Sequence, residues 1–159
     1  MSLLDKEAVK RVEKFLLKFD KNHKILVLKT SARTASEAAS SLGCEAGAII
    51  KSLLFKTKNN FILCLVAGDK RASLNKIKHT LNIKEASMAS AGDVKNITGF
   101  TIGGVSPIGH LNDISIYIDK SLQRFDSLFA AAGHPNCVFE IDFNNLQKIT
   151  KGYTEEITE

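Results

Sequence analysis

The spacing of apolar residues along the chain predicts five helices. Near the N-terminus, apolar residues recur every three or four positions, which is typical of an amphipathic helix with one buried face; they are Ala8, Val9, Val12, Phe15, Leu16 and Phe19. Four later segments begin with a residue that favours the helix N-cap; they are 34–43, 73–81, 90–99 and 142–150. In two of them, 34–43 and 90–99, an acidic residue follows three positions after the cap and a glycine ends the pattern, as capping boxes and glycine stops predict.

The remaining apolar runs predict strands. The runs 24–29 and 114–119 have the length and β-branched content of single strands. Two hairpins are predicted, one from "AIIKSLLFK" and "FILCLVAG" across the polar turn "TKNN", and one from 127–133 and 137–142 around "HPN". Because strands arrive in hairpins and do not alternate one for one with helices, the predicted class is α+β. We expect a mixed, curled, barrel-like sheet surrounded by short helices, in a single domain over residues 1–159.

Composition places few further limits on the protein. The chain has 159 residues, of which 44% are hydrophobic and 25% charged, as in ordinary soluble domains. No apolar run approaches the roughly 18 residues of a membrane span, and the charged N-terminus lacks the apolar centre of a secretion signal. The three cysteines form no C-x-x-C pair, so neither a disulfide framework nor a zinc site is indicated. These features predict a cytoplasmic protein with no membrane partner and no metal.

Charge is distributed unevenly along the chain. Residues 1–80 contain 16 Lys and Arg against 7 Asp and Glu, whereas residues 81–159 contain 6 against 10. A basic half of this kind predicts a surface for a polyanion such as nucleic acid, although solvated helix faces produce the same pattern. The chain has two tyrosines and no tryptophan, which argues against a platform that stacks single-stranded bases.

The segment "TGFTIGGVSPIGHLND" (98–113) contains three glycines and a proline within seven positions. It is not a Walker A loop, because His110 and Leu111 follow Gly109 where lysine and a hydroxyl residue are needed. It is not a nucleophile elbow, because Pro107 follows Ser106, and no G-x-G-x-x-G pattern occurs. The segment is either a structural turn or a rigid wall whose backbone faces a small group.

Two further residues stand out as candidates for a site. Lys51 is the only charge within "AIIKSLLF", and on a strand it points to the same face as Leu53 and Phe55. It either reaches solvent at a sheet edge or projects into a pocket, where an ammonium binds a carbonyl or phosphate oxygen strongly. His134, between Gly133 and Pro135, is either a solvent-facing turn residue or part of a pocket rim. His110 beside the glycine segment is a weaker candidate.

These residues stand in segments that resemble the YbaK/ProX family of free-standing aminoacyl-tRNA deacylases, relatives of the editing domain of bacterial prolyl-tRNA synthetases. The similar segments follow the family order over nearly the whole chain: "SARTASEAASSLG", "IIKSLLF", "LVAGDKRASLNKI", "ITGFTIGGVSPIGH", "IDKSLQRFDSLFAAAGHPNCVFEI" and "LQKITKG". The resemblance implies a barrel-like mixed sheet and no cofactor. It implies that Lys51 is the essential catalytic lysine.

The resemblance also assigns substrate-binding residues. The family's G-x-x-x-P loop corresponds to Gly103, Gly104, Val105, Ser106 and Pro107, and its glycine-histidine tip corresponds to Gly133 and His134. The backbone N–H groups of Gly103 and Gly104 are expected to polarise the ester carbonyl.

The implied function is trans-editing. The substrate is the acceptor end of a tRNA, with tRNA-Pro favoured, that wrongly carries alanine or another small residue; cysteine is the next choice, and prolyl-tRNA synthetase is a possible partner. Two alternatives remain open at this point: a non-catalytic module that binds tRNA or a synthetase, and a protein that binds a small ligand in the same pocket.

Overall fold

The computed structural model describes residues 2–30 and 32–159, and within them the chain forms five α-helices and eight β-strands. The helices are α1 (Glu7–Phe19), α2 (Ala35–Leu42), α3 (Leu74–Leu81), α4 (Ala91–Thr98) and α5 (Phe143–Thr150). The strands are β1 (Ile25–Val27), β2 (Ile49–Thr57), β3 (Phe61–Ala67), β4 (Ala86–Met88), β5 (Ser115–Asp119), β6 (Leu128–His134), β7 (Cys137–Ile141) and β8 (Tyr153–Glu155). Met1 and Ser31, which the predicted domain includes, lie outside the described residues.

The strands form one mixed sheet in the order β1-β7-β6-β2-β3-β5-β8, with β4 paired to the far end of β2. Both predicted hairpins are present as the antiparallel pairs β2–β3 and β6–β7. The pairs β2–β6, β3–β5 and β5–β8 are parallel. The predicted α+β class and mixed, curled sheet are confirmed, and all five predicted helices are found; the short strands β4 and β8 were not predicted.

The helices begin where the capping residues indicated. The side chains of Thr34, Ser73, Ser90 and Asp142 each accept a hydrogen bond from the backbone N–H three residues on. The longest helix, α1, buries Val9, Val12 and Leu16 against the sheet and packs on β6. No helix within the described residues is long and apolar enough to cross a membrane.

Strand β2 leaves an opening in the sheet. One of its edges pairs with β3 along almost its whole length. On the other edge β6 pairs only with Ile49 and Ile50, and β4 pairs from Phe55 onwards. Among the residues that the structure describes, no strand pairs with 51–53 on that edge, so the sheet separates there between β6 and β4.

The C-terminal tail braces the loop that follows β3. Asp119, 1% exposed at the end of β5, accepts hydrogen bonds from the N–H of Ile157 at 2.8 Å and from the hydroxyl of Thr158 at 3.1 Å. Beyond it, the N–H of Glu159 donates to the carbonyl of Arg71 at 3.0 Å. Because a buried carboxylate is costly unless its oxygens are bonded, this arrangement fixes the tail against the loop 68–72.

Candidate active site

The opening in the sheet holds a cavity of about 510 Å³. Its lining comes from residues 49–54 of β2, from β6, from the start of α2 and from the glycine segment. Most of the lining is apolar; its polar side chains are those of Arg33, Thr34, Ser36, Lys51 and Ser52. A concave apolar site with few polar groups is the usual form of a small-molecule pocket.

Lys51 lies half-buried at the edge of this cavity. Its ammonium donates one hydrogen bond, 2.7 Å long, to the carbonyl of Lys70. An ammonium has three N–H donors, so two remain for a guest. Burial lowers the pKa of Lys51, the positive charge of Arg71 lowers it further, and Asp69 partly opposes the change. Lys51 therefore carries a partly desolvated charge, which binds oxygen atoms more strongly than a charge in water does.

The loop that holds Lys51 is fixed by an ion pair. Asp69 receives two hydrogen bonds from the guanidinium of Arg124, at 2.7 and 3.0 Å. Two parallel bonds of this kind fix geometry better than one does. The carbonyl that holds the ammonium follows directly at Lys70, so the pair positions it.

Gly103 lies in a tight turn that contributes to the cavity lining. The carbonyl of Thr101 accepts a bond from the N–H of Gly104 at 3.0 Å, and Gly103 between them has φ +93°. These are the features of a type II turn, whose third position requires positive φ and so favours glycine. Both Lys51 and the turn residue Gly103 line the same cavity, as does Val105.

One expectation about this turn is corrected. The N–H of Gly104 was expected to polarise a guest carbonyl, but it closes the turn onto Thr101. The N–H groups of Gly103 and Val105 have no hydrogen-bond partner within residues 2–30 and 32–159. These two, and not Gly104, are the donors available to a guest.

Residues 103–107 form one wall of the cavity, to whose lining Gly103 and Val105 contribute. Ser106 and Pro107 belong to this wall but do not line the cavity. Ser106 is fully buried, and its hydroxyl accepts a bond from the N–H of Ile108 at 3.2 Å. Its carbonyl lies 2.7 Å from Nε2 of His110. Burial lowers the pKa of His110, so the ring is a neutral donor that holds the loop.

Gly133 and His134 also stand behind the wall. A Cβ at Gly104 would lie 3.0 Å from the backbone of both residues, so the two segments approach as closely as glycine permits. The ring of His134 accepts a bond at Nδ1 from the N–H of Asn136 at 3.0 Å, and burial lowers its pKa. Neither residue lines the cavity; the pair supports the glycine turn from outside.

Arg11 of α1 fixes both ends of the glycine segment. Its Nε donates to the carbonyl of Gly109 at 2.7 Å and its Nη2 to that of Gly99 at 3.1 Å. The guanidinium also lies 4.6 Å from the centre of the Phe100 ring and pairs with Glu7. One side chain thus connects the wall to the longest helix.

Arg11→Met should destabilise the protein by about 3 kcal/mol or more, because two carbonyls lose a partner and each bond from a charged donor contributes about 1.5–3 kcal/mol. Urea unfolding of the variant and of Lys10→Met, an exposed neighbour on α1, measures the difference. A variant as stable as Lys10→Met would show that Arg11 does not hold the segment.

A sequence profile of the aminoacyl-tRNA editing domain matches residues 29–149. This range contains β2, the glycine segment and the β6–β7 hairpin, and so every residue that lines the cavity; α1, which supports the glycine segment through Arg11, lies before it. The chain belongs to the aminoacyl-tRNA editing domain family.

Several known proteins resemble this chain over most of its length. The "uncharacterized protein YwhH" of Bacillus subtilis (strain 168) is 31% identical over 144 residues, which cover 90% of this chain and 91% of that protein. The "putative Cys-tRNA(Pro)/Cys-tRNA(Cys) deacylase EbsC" of Enterococcus faecalis (strain ATCC 700802 / V583) is 28% identical over 126 residues, 79% of this chain and 77% of that one. A crystal structure described as "a putative trans-editing enzyme for prolyl tRNA synthetase" superposes with a TM-score of 0.92 at 32% identity, covering 97% of this chain and 98% of the other.

Sequence reasoning missed two polar residues of this editing-domain cavity. The hydroxyl of Ser52 is buried and has no hydrogen-bond partner among the described residues. Arg33, directly before the capping residue of α2, brings a second cation to the lining. The helix cap predicted at Thr34 could have located Arg33, whereas a serine inside an apolar strand carries no signal of its own.

The described side chains that line the cavity do not provide a carboxylate or histidine base or a thiolate nucleophile. Among the described residues, the lining contains no Asp, Glu, His or Cys that could act as a base or thiolate nucleophile. Burial raises the pKa of the Cys64 thiol to about 12 and raises those of Cys44 and Cys137. The site is thus equipped to hold and polarise a guest with cations and backbone N–H groups.

Proposed function

We propose that this protein hydrolyses the ester of a tRNA mischarged with a small amino acid, alanine first and cysteine next, with tRNA-Pro as the acceptor. The observation that carries the proposal is one cavity lined both by Lys51, whose ammonium makes a single hydrogen bond, and by Gly103 and Val105, whose N–H groups have no partner among the described residues. The family supports the reaction, and the likeness to EbsC and to the putative prolyl-tRNA trans-editing enzyme supports a tRNA substrate.

The chemistry requires placement more than a reactive side chain. An aminoacyl ester is already activated, so water can attack the carbonyl carbon once the developing oxyanion is stabilised. The oxygen of water forms the new C–O bond, the ester C–O bond breaks, and the ribose oxygen leaves with a proton. With no side-chain base in the lining, the neighbouring ribose hydroxyl of the substrate relays the proton from water.

Different groups of the protein bind the substrate, stabilise the oxyanion and hold the glycine turn in place. Lys51 holds the ester and ribose oxygens with its two free donors, and the N–H groups of Gly103 and Val105 stabilise the oxyanion. Ser52, with its unpartnered hydroxyl, is placed to bond the amino group or a ribose oxygen. Gly133 and His134 keep the turn in position through Gly104.

Selectivity follows from the wall. Val105 is 7% exposed and lies between Gly104, which packs against the backbone of His134, and Ser106, whose carbonyl is held by His110. Because this wall is held in place, a large aminoacyl side chain would clash with it, whereas a small aminoacyl side chain fits. Free amino acid and intact tRNA are the products.

A panel of charged tRNAs tests the proposal. The purified protein is incubated with tRNA-Pro carrying alanine, cysteine, serine or proline, and loss of the ester is followed over time. We expect alanyl ester to decay fastest, cysteinyl ester more slowly and prolyl ester at the uncatalysed rate. Decay of none of the four would favour a binding module without catalysis and would overturn the proposal.

The activity should decline on the alkaline side at a pH below the ordinary lysine pKa. The pKa of Lys51 is lowered by burial first and by the charge of Arg71 second. The ammonium is the active form, so activity is complete below this lowered pKa and is lost as pH rises through it. The profile of kcat/KM, corrected for spontaneous ester hydrolysis, measures the midpoint; Arg71→Gln should shift that midpoint upwards, and an unchanged midpoint would contradict the assignment.

A further inference from the structure

Four lysines form a patch at the far end of β2 from Lys51. Lys56 and Lys58 come from the end of β2 and its turn, Lys78 from α3 and Lys84 from the segment before β4; together they surround a depression of about 440 Å³. We call these four residues the lysine patch. Glu85 is the only acid in its lining, and none of the four ammoniums forms a salt bridge or hydrogen bond with another residue in the described part of the chain.

The lysine patch and the cavity share none of the residues that the structure describes and lie at different places along β2. Between them lies an open groove of about 490 Å³ that shares Lys51, Leu53, Gly68 and Met88 with the cavity. Each of three elements contributes neighbouring residues to the groove and to the patch: Phe55 and Lys56 on β2, Met88 and Ser87 on β4, Leu74 and Lys78 one turn apart on α3. The groove and the patch therefore adjoin each other along β2, although neighbouring strand residues such as Phe55 and Lys56 point to opposite faces of the sheet.

Cations outnumber acids in the cavity, the groove and the lysine patch. The groove carries Lys70 and Arg71, and its single acid, Asp69, is neutralised by Arg124. The cavity adds Arg33 at the other end. A surface with many cations and few acids attracts a polyanion such as nucleic acid.

The distance from Lys51 to the lysine patch indicates which part of a bound tRNA the patch would contact. Lys51 and Lys56 are five residues apart on one strand, which at about 3.4 Å per residue is about 17 Å. An aminoacyl ester in the cavity is followed by the unpaired 3′ nucleotides of the tRNA, which can cover this distance along the groove. The duplex of the acceptor stem then begins at the patch.

We propose that the lysine patch binds the phosphate backbone of the acceptor-stem duplex while the 3′ end lies in the groove. This inference rests on the proposed function and adds to it the surface that receives the RNA. Flexible ammoniums without acidic partners, in a lining that has no aromatic side chain, suit phosphate contacts that position a duplex without reading its sequence. An acidic protein surface is the competing occupant.

Binding to an uncharged RNA tests the proposal separately from catalysis. The probe is a fluorescent hairpin with an acceptor-stem duplex and a single-stranded 3′ CCA, titrated by anisotropy from low to high salt. The test variant replaces Lys56, Lys58, Lys78 and Lys84 by glutamine. The matched control replaces four exposed lysines of α1 and the following turn by glutamine, namely Lys10, Lys14, Lys18 and Lys21, which removes the same charge from a helix that packs on β6.

The patch variant should bind the hairpin about tenfold or more weakly at low salt, and its salt slope should fall by about one for each lysine that contacts a phosphate. The control should bind like the original protein. Equal binding and equal slope in the patch variant would overturn the proposal and leave the patch to an acidic protein.

A second experiment tests whether the lysine patch contributes to ester hydrolysis. The patch variant should lose kcat/KM on a charged hairpin but keep it on a charged CCA trinucleotide that has no duplex. If the original protein hydrolyses neither substrate, the proposed function fails while the binding arm still decides the role of the patch. Equal losses on both substrates would show that the substitutions disturb the cavity and would contradict the separation of the two surfaces.

Discussion

Lys51→Ala is expected to lower the rate of aminoacyl-ester hydrolysis by about 10²–10³, the usual cost of removing one preorganised electrostatic contact. The substitution removes the only ammonium that the structure places between the cavity and the groove, together with its bond to Lys70. Single-turnover rates with alanyl-tRNA-Pro measure the effect.

Stability separates this catalytic role from a structural one. Because burial lowers the pKa of Lys51, the folded state disfavours its charge, and Lys51→Met, which keeps the apolar stem, should unfold at a urea concentration no lower than the original. Lys120→Ala, an exposed lysine after β5, serves as the control for charge and should keep full activity. A Lys51→Ala protein with unchanged rate would refute the assignment.

Val105→Ala is expected to reduce the discrimination between small and large aminoacyl groups by about tenfold or more. The change removes two carbon atoms from a wall that lines the cavity and is 7% exposed. A single methylene in a tight apolar site changes relative kcat/KM by about 10–200-fold. The ratio of kcat/KM for alanyl ester to that for valyl ester on tRNA-Pro measures the change.

Ile108→Val is the matched control for Val105→Ala. Ile108 lies on the same segment and is 2% exposed, but it does not line the cavity. It should cost about 0.5–1.5 kcal/mol of stability and leave the ratio unchanged. If both variants changed selectivity equally, the wall would be acting through loop stability and not through shape.

Much of the fold could be predicted because its signals are local. Side chains at Thr34, Ser73, Ser90 and Asp142 cap helices within their own three residues, so their sequence spacing is sufficient. The strands β4 and β8 are three residues long and exist through pairing with distant partners. A run of that length has no periodicity to read.

Sequence reasoning named three residues that line the cavity, Lys51, Gly103 and Val105, but the other five predicted site residues do not line it, and the hydrogen bonding could not be foreseen. Alternation along β2 placed Lys51 with Leu53 and Phe55, and all three line the same groove. Which N–H of the glycine segment is free depends on the turn between Thr101 and Gly104, and a run of glycines allows several turns.

The lysine patch could not be foreseen, because its members come from separated segments. The pairing of β2 with β4 and the position of α3 bring them together. Charge counts along the chain indicated a basic half, but the tertiary structure determines which of its lysines share one surface.

A crystal structure of the protein with 3′-alanylamino-3′-deoxyadenosine, in which an amide replaces the scissile ester, tests the central claim most directly. We predict the alanyl side chain against Val105, the amide oxygen within hydrogen-bond distance of the N–H of Gly103 or Val105, and a ribose oxygen within reach of the Lys51 ammonium. An analogue bound outside the cavity, or bound in it with the ammonium still turned only to Lys70, would contradict the account.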